Sequence, residues 1–237
     1  NYIKTNVLGT VNILECLRNK NIRNFIYAAS SSCYGIANTP TNEAHIIDPQ
    51  YPYALSKYHG EQCAFHWADV YGLKVKSIRI FNAYGRRVRT TGAYGAVFGV
   101  FLKQHLSGKP LTIVGNGSQK RDFIHVKDVA NAFFLLHKKP SSENIFNLGA
   151  GNPVTVKKLA EIIGGDIEFI KKRPGEPEVT WANITRIQNE LNWSPLISFE
   201  DGVKEMIDNI KEWEDAPLWD KSNIAEATKT WFKYLDK

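Results

Sequence analysis

Cysteine is scarce in this sequence, and none of it is arranged for pairing. Cys16, Cys33 and Cys63 are three residues in 237, an odd number at spacings that match no metal-binding pair. That argues against a disulfide frame and for a reducing compartment, with the cytoplasm as the expected location. No apolar run approaches the ~18 residues a membrane-spanning helix needs, and no charged-then-apolar leader opens the chain, so no membrane is expected as partner. Runs of five or six like charges are missing as well. The net charge of +6, from 30 basic and 24 acidic residues, is spread along the chain. It therefore speaks against nucleic acid as a partner and leaves room for a basic pocket that takes an anionic small molecule. Internal repeats and low-complexity segments are absent too. What is abundant is apolar surface: 43% hydrophobic residues suffice for the core of one or two domains.

An initiator methionine is also lacking. The opening "NYIKTNVLGTVNILECLRNK" reads as a helix already under way, with Val7, Val11, Leu14 and Leu17 at helical spacing, so the chain is expected to begin inside a domain. A β-rich run, "RNFIYAAS", follows, and then a polar loop to residue 50. A helix is expected over 52–71 and a buried strand over 73–81. Helices alternating with apolar strands indicate parallel βα units. From Asn82 a long Gly-, Arg- and Thr-rich connection leads to a helix near 96–107, the strand "LTIVG", the strand in "RDFIHV", a helix over 127–138 and the strand "NIFNLG". Smaller elements complete the chain: helices near 155–163, 183–191 and 199–213, the strand "DIEFI" and the loop "KKRPGEPEVTW". The tail "SNIAEATKTWFKYL" reads as an amphipathic helix opened by Asn223 and Glu226, with Ile224, Thr228 and Trp231 on one side, docked on its own chain.

One local pattern has chemical content. In "YALSK", Tyr53 and Lys57 stand four apart, so on a helix they share a face. A phenol titrates near ~10 when undisturbed, and a neighbouring ammonium lowers that value, which makes a tyrosine useful for moving a proton on or off an alcohol oxygen. By itself the spacing is also met by a half-buried tyrosine beside a surface lysine. Ser30, Ser31 and Ser32 follow directly on the strand "NFIYAA", at the carboxyl end where ligand sites of open α/β sheets form. Two lookalikes carry less. "GAYGAVFG" (Gly92 to Gly99) does not follow a strand with phosphate-loop spacing and reads as a flexible substrate loop. His125 has no second ligand-type neighbour and reads as structural, and no metal is expected.

Seven segments in order, "TNVLGTVNILECL", "YAASSSCYG", "YPYALSK", "RIFNAYG", "GNGSQKRDFIHVKDVANA", "NLGAGNPVTV" and "RPGEPEVTWANITRIQNELNW", resemble the extended short-chain dehydrogenase/reductase family of nucleotide-sugar epimerases and dehydratases. The likeness spans about residues 1–213. It implies an α/β fold: a Rossmann-like doubly wound parallel sheet with a smaller α/β substrate-binding domain. The implied borders are 1–81 and 122–150 for the remainder of the NAD-binding domain, 82–121 and 151–213 for the nucleotide-sugar domain, and 214–237 for a helical tail. It also implies roles. Ser30 would bind the sugar hydroxyl that is oxidised, Tyr53 would be the acid/base, and Lys57 would lower its pKa while holding the nicotinamide ribose. Phe81 would lie near the nicotinamide. Asn82, Arg121 and Arg173 would contact the nucleotide diphosphate, and Glu176 the nucleotide ribose hydroxyls. Guanidinium forks suit phosphate oxygens, and a carboxylate suits ribose hydroxyls.

Dehydratases of the family carry an Asp-Glu pair directly after the position of Ser30, and the decarboxylases that make UDP-xylose a Glu at the second place; Ser31 and Ser32 stand there in this chain. Without those carboxylates, what remains is reversible hydride chemistry, resembling the UDP-glucose 4-epimerases: NAD-dependent inversion of a UDP-hexose at C4, in a homodimer formed through the helices of "NVLGTVNILECL" and "YALSK". Two departures matter. The usual "GPR" after "YG" is Arg86-Arg87, and the Gly-rich strand-turn-helix that holds the NAD diphosphate is missing, as though the N-terminal part of the fold were absent. A catalytically silent nucleotide-sugar binding fragment and another keto-sugar epimerase or reductase are the alternatives.

Overall fold

The structure, a computed structural model, describes residues 1–92 and 97–235. A π-helical stretch, Ile3–Leu8, runs directly into α1 (Gly9–Leu17). Then come β1 (Phe25–Ser30), α2 (Pro52–Tyr71), β2 (Val75–Ile80), β3 (Asn82–Tyr84), α3 (Val97–Leu106), β4 (Leu111–Val114), β5 (Lys120–Arg121) and β6 (Phe123–His125). The remainder is α4 (Val126–Lys138), β7 (Ile145–Leu148), β8 (Val154–Thr155), α5 (Val156–Ile163), β9 (Ile167–Ile170), α6 (Thr185–Leu191), α7 (Phe199–Asp208) and α8 (Lys221–Leu235). None of the described helices is long and apolar enough to cross a membrane.

The chain forms two compact units. The first, Asn1–Phe81 with Val129–Gly151 and Trp181–Ser194, is built on a parallel sheet in the order β1-β2-β7. Ser30 pairs with Ile80, and Ile80 with Leu148, so the carboxyl ends of all three strands share one edge. β2 and β7 are buried along most of their length, which is why they read as near-continuous apolar runs; Ile78, Phe146 and Leu148 are fully buried. One face packs Tyr27, Ala29 and Val75 against Leu14 and Ala64 of α1 and α2. α2 starts at Pro52, whose missing N–H costs nothing at a first helical position, and stops at the left-handed Gly72.

The second unit is Asn82–Asp128, Asn152–Thr180 and Pro195–Lys237. It pairs β3 with β6 and β4 with β9 in parallel, and β5 with β8 antiparallel. Aromatic rings fill its centre: Tyr84 stacks on Phe98 at 4.2 Å between centroids, and Phe123 stacks on Phe199 at 5.6 Å.

Several borders differ from the sequence reading. Residues 122–128 group with the second unit because β6 pairs with β3. Residues 181–194 group with the first, where Ala182 bridges Thr41 and Trp181 Nε1 donates to the Gly151 carbonyl. The tail joins the second unit. α8 begins two residues before Asn223, and its cap is Asp220, whose Oδ1 accepts from the Asn223 N–H at 3.0 Å. The helix expected over 199–213 breaks at Asn209 and ends in a 3₁₀ turn, Ile210–Trp213. Of the loop expected over Gly92 to Gly99, residues 93–96 lie outside the described residues; Val97 already belongs to α3.

Candidate active site and nucleotide pocket

In the first unit, the open edge of the sheet gathers Ser30, Tyr53, Lys57 and Phe81. Ser30 closes β1 and caps the 3₁₀ turn Ser31–Tyr34, its Oγ accepting from the Ser32 N–H at 3.3 Å. The Ser30 and Ser32 hydroxyls lie 2.8 Å apart. Tyr53 stands on the first turn of α2, near enough to the Ser30 hydroxyl for that group to act on its ionisation. Its ring meets that of Tyr2 edge-on at 5.6 Å. The turn beneath it is pinned by Ser56 Oγ, which donates to the Tyr53 carbonyl at 2.8 Å and accepts from Asn6 Nδ2 at 3.0 Å. Phe81 is buried, and its N–H donates to the Leu148 carbonyl at 2.9 Å.

Lys57 lies one turn further along α2. Its Nζ donates to the Ala28 carbonyl at 2.5 Å and sits 4.8 Å above the Tyr27 ring. Burial pulls its pKa below the ordinary lysine value, against the Glu61 carboxylate, which favours the ammonium. Tyr53 departs from expectation. Burial pushes its phenol above the ordinary value, the nearby Ser30 hydroxyl works against that rise, and Tyr2 adds to it. The lowering expected from Lys57 is not seen, because that ammonium is directed to the Ala28 carbonyl and the Tyr27 ring.

Beneath these residues runs a buried polar network that sequence reasoning missed. Glu61 accepts from Ser77 Oγ at 2.5 Å and from Arg79 Nη2 at 2.7 Å. Arg79 Nη1 donates to Tyr34 Oη at 2.9 Å, and Tyr34 Oη donates to Asn147 Oδ1 at 2.7 Å. Burial opposes the Arg79 charge, yet its bond to Glu61 holds the guanidinium above its ordinary value. Two signals were present in the sequence. Glu61 continues the i, i+4 face of Tyr53 and Lys57, and an arginine inside the apolar strand "SIRI" requires a buried partner.

The second unit holds a pocket of about 150 Å³ lined by Asn82, Arg121, Arg173 and Glu176. All four were singled out from sequence, and the fold brings them together. Asn82 Oδ1 accepts from Thr180 Oγ1 at 2.7 Å, and the same hydroxyl accepts from the Asp122 N–H at 3.2 Å. Arg121 Nη1 donates to the Lys120 carbonyl at 2.9 Å. Arg173 and Glu176 form an ion pair at 3.0 Å across the turn at Gly175, whose φ of +76° suits glycine. Phe98, Phe101, Gln119, Trp219 and Ile224 complete the wall. Two guanidinium groups beside an apolar wall make a site for an anion with a flat, apolar part. Trp219 and Ile224 were not found from sequence, since they come from the tail.

His125 is buried, as its strand position implied; Nδ1 accepts from the Lys127 N–H at 3.3 Å and burial lowers its pKa. Arg86, at the altered "GPR" position, pairs with Glu212.

A parallel α/β sheet with a serine at a strand end, facing a tyrosine and a lysine on the next helix, is the arrangement of the extended short-chain dehydrogenases/reductases. Residues 1–149 match the model of the NAD dependent epimerase/dehydratase family, and the chain belongs to that family. It is 32% identical over 231 residues to a UDP-glucuronate 4-epimerase of Thermodesulfobacterium geofontis, covering 94% of this chain and 67% of the relative. Among solved structures it is similar to the Bacillus cereus UDP-glucuronic acid 4-epimerase in complex with UDP-glucuronic acid and NAD (TM-score 0.80, 28% identity, 87% of this chain and 67% of that one). It is likewise similar to the Thermotoga maritima UDP-glucose 4-epimerase with UDP-glucose (TM-score 0.81, 30% identity, 89% and 70%). The chain thus spans about two thirds of the length of these relatives. The Rossmann-type α/β fold and the family read from the seven motifs are both shown.

Proposed function

We propose that this chain carries the proton-transfer and nucleotide-binding parts of an NAD-dependent epimerase that inverts C4 of a UDP-hexose. The observation that carries the proposal is the placement of Ser30, at the end of β1, and Tyr53, on the first turn of α2, at the carboxyl edge of the parallel sheet, with Lys57 one turn on. Relatives that invert C4 of UDP-glucuronate and UDP-glucose support it. The donor set suits the nicotinamide end of a dinucleotide: an ammonium with donors beyond the one given to Ala28 can hold ribose hydroxyls, and the buried Phe81 offers an apolar contact. When bound, NAD supplies the hydride acceptor and later the hydride donor. Tyr53 Oη, as the phenolate, takes the proton of the C4 hydroxyl and, as the phenol so formed, afterwards returns it, while Ser30 Oγ hydrogen-bonds the same oxygen. Favouring that phenolate requires the Lys57 ammonium to turn from the Ala28 carbonyl toward Tyr53. Asn82, Arg121 and Arg173 hold the diphosphate, and Glu176 accepts from the nucleotide ribose. Ser32, bonded to Ser30 through its hydroxyl, stands where an eliminating enzyme needs a carboxylate, which favours epimerisation over dehydration.

In this reading the enzyme works in the cytoplasm, consistent with three free cysteines. It is a homodimer through α2 and the helix made of the π-helical stretch and α1, where Ile3, Leu8 and Ile13 are exposed.

The test uses the protein as its gene encodes it. Incubation with UDP-glucose, UDP-glucuronate or UDP-N-acetylglucosamine and analysis of the products is expected to give the C4 epimer of one of them. Tyr53→Phe is expected to lower that rate by about 10²- to 10⁴-fold, the usual contribution of a general acid/base, while UDP binding changes less than about 2-fold. Full activity in Tyr53→Phe would sink the mechanism.

A further inference from the structure

The tail lies outside the motifs that carry the family resemblance, yet it reaches the nucleotide pocket at two places. Trp219 and Ile224 line the pocket directly. Trp219 is anchored by Gln104, a fully buried side chain whose Nε2 donates to the Trp219 carbonyl at 2.7 Å and to Thr112 Oγ1 at 2.8 Å. From there α8 runs along β9: Lys221 Nζ pairs with Glu168 at 2.6 Å, and Ile224 and Thr228 are buried. At the far end, Lys171 Nζ lies 4.6 Å from the Phe232 ring centre, and Trp231 Nε1 donates to the Pro174 carbonyl at 3.0 Å.

Pro174 is the residue between Arg173 and Gly175. A side chain at Gly175 would meet nothing within 4 Å, so the turn has no packing of its own there. Its flanking residues, Arg173 and Glu176, line the pocket together with Arg121. A loop with a glycine at positive φ and open space around it has several conformations within reach. The indole-to-carbonyl bond selects one of them. The same helix that presents Ile224 to the pocket therefore also sets the turn from which the guanidinium and the carboxylate project.

We propose that the segment Pro217–Leu235 is a positioning element for the nucleotide: Trp219 and Ile224 wall its pocket, and Trp231, through the Pro174 carbonyl, orders the turn that carries Arg173 and Glu176. This rests on the nucleotide-sugar reading given above. The segment acts on binding of the nucleotide and not on the proton transfer at Tyr53, so its loss raises KM and leaves kcat in place.

The test is calorimetric titration of UDP into the full protein, paired with KM, kcat and melting temperature. Trp231→Phe keeps a ring and removes the donor. It is expected to weaken UDP binding and raise KM by the same factor, about 3- to 10-fold, the range spanned by one net hydrogen bond, with kcat within about 2-fold. Backbone amides of residues 171–173, 175 and 176 should exchange faster in that variant, with no matching rise across β4 or α5. Ile224→Val shortens the wall by one methylene and reads the pocket independently. It is expected to weaken UDP about 2- to 4-fold, the factor for one buried methylene. Unchanged UDP affinity in both variants overturns the proposal, as does a lower melting temperature with KM untouched, which is the signature of a purely structural role. If the unsubstituted protein epimerises and binds UDP while the variants behave like it, this inference alone fails. If the unsubstituted protein does not bind UDP, the nucleotide-sugar reading fails and takes the inference with it.

Discussion

Glu61 lies one turn beyond Lys57 on α2, with its carboxylate almost wholly shielded from water and shared between Ser77 and Arg79. A buried charge pair contributes little net stability when intact, yet removing one partner leaves the other ion stranded, at a cost of about 3–5 kcal/mol. Glu61→Gln is therefore expected to lower the free energy of unfolding by about 3 kcal/mol in a urea titration, since Arg79 would then lie buried beside a neutral amide. A loss under about 1 kcal/mol would show that water reaches the pair. Half of this was visible beforehand, because an arginine in an apolar strand announces a missing partner. Which carboxylate answers it depends on the distance between α2 and β2, and no sequence spacing states that. Tyr53 teaches the converse. Its place beside a lysine is written in the spacing, but its raised pKa follows from burial and from where the Lys57 ammonium is directed, both of which are tertiary.

At the scale of elements, α2 was legible from end to end. Proline at the first position, glycine in the left-handed region after the last, and a strand before and after leave little freedom in its bounds. Its contact with the π-helical stretch was not legible. A Cβ built on Gly60 would lie 2.2 Å from Tyr27 Oη and 2.4 Å from the Asn6 carbonyl oxygen. On an exposed helix, glycine to alanine gains about 1 kcal/mol. Here the opposite sign is expected: Gly60→Ala should destabilise by about 1–3 kcal/mol through overpacking, measurable as a lowered denaturation midpoint with an unchanged slope. Because Tyr27 Oη also donates to the Lys57 carbonyl at 3.2 Å, the strain would fall on the turn that carries Lys57. The tail shows where local signals mislead. Asn223 and Glu226 have capping-box spacing, but Asp220 is better placed once Trp219 is held by Gln104, and the helix starts earlier.

At the scale of the whole molecule, exposed Leu8 and Ile13, at 52% and 53%, are more apolar surface than a solvated helix pair needs. Sedimentation of the full protein is expected to give a dimer, and Leu8→Glu with Ile13→Glu a monomer. A monomer before substitution would remove the helix-pair interface from the proposed function. The sequence by itself determined the alternation of strands and helices and the family, and it named the residues proposed to react and to hold the nucleotide. Those follow from hydrophobic period, turn chemistry and seven ordered motifs, all of which are local. Only the tertiary structure decided which charges neutralise one another, how far burial displaces a phenol, and that residues from β3, β5, the turn at Gly175 and α8 surround one pocket. Burial and long-range pairing are properties of surfaces brought together by the fold, and a chain read in one dimension holds the side chains but not the distances between them.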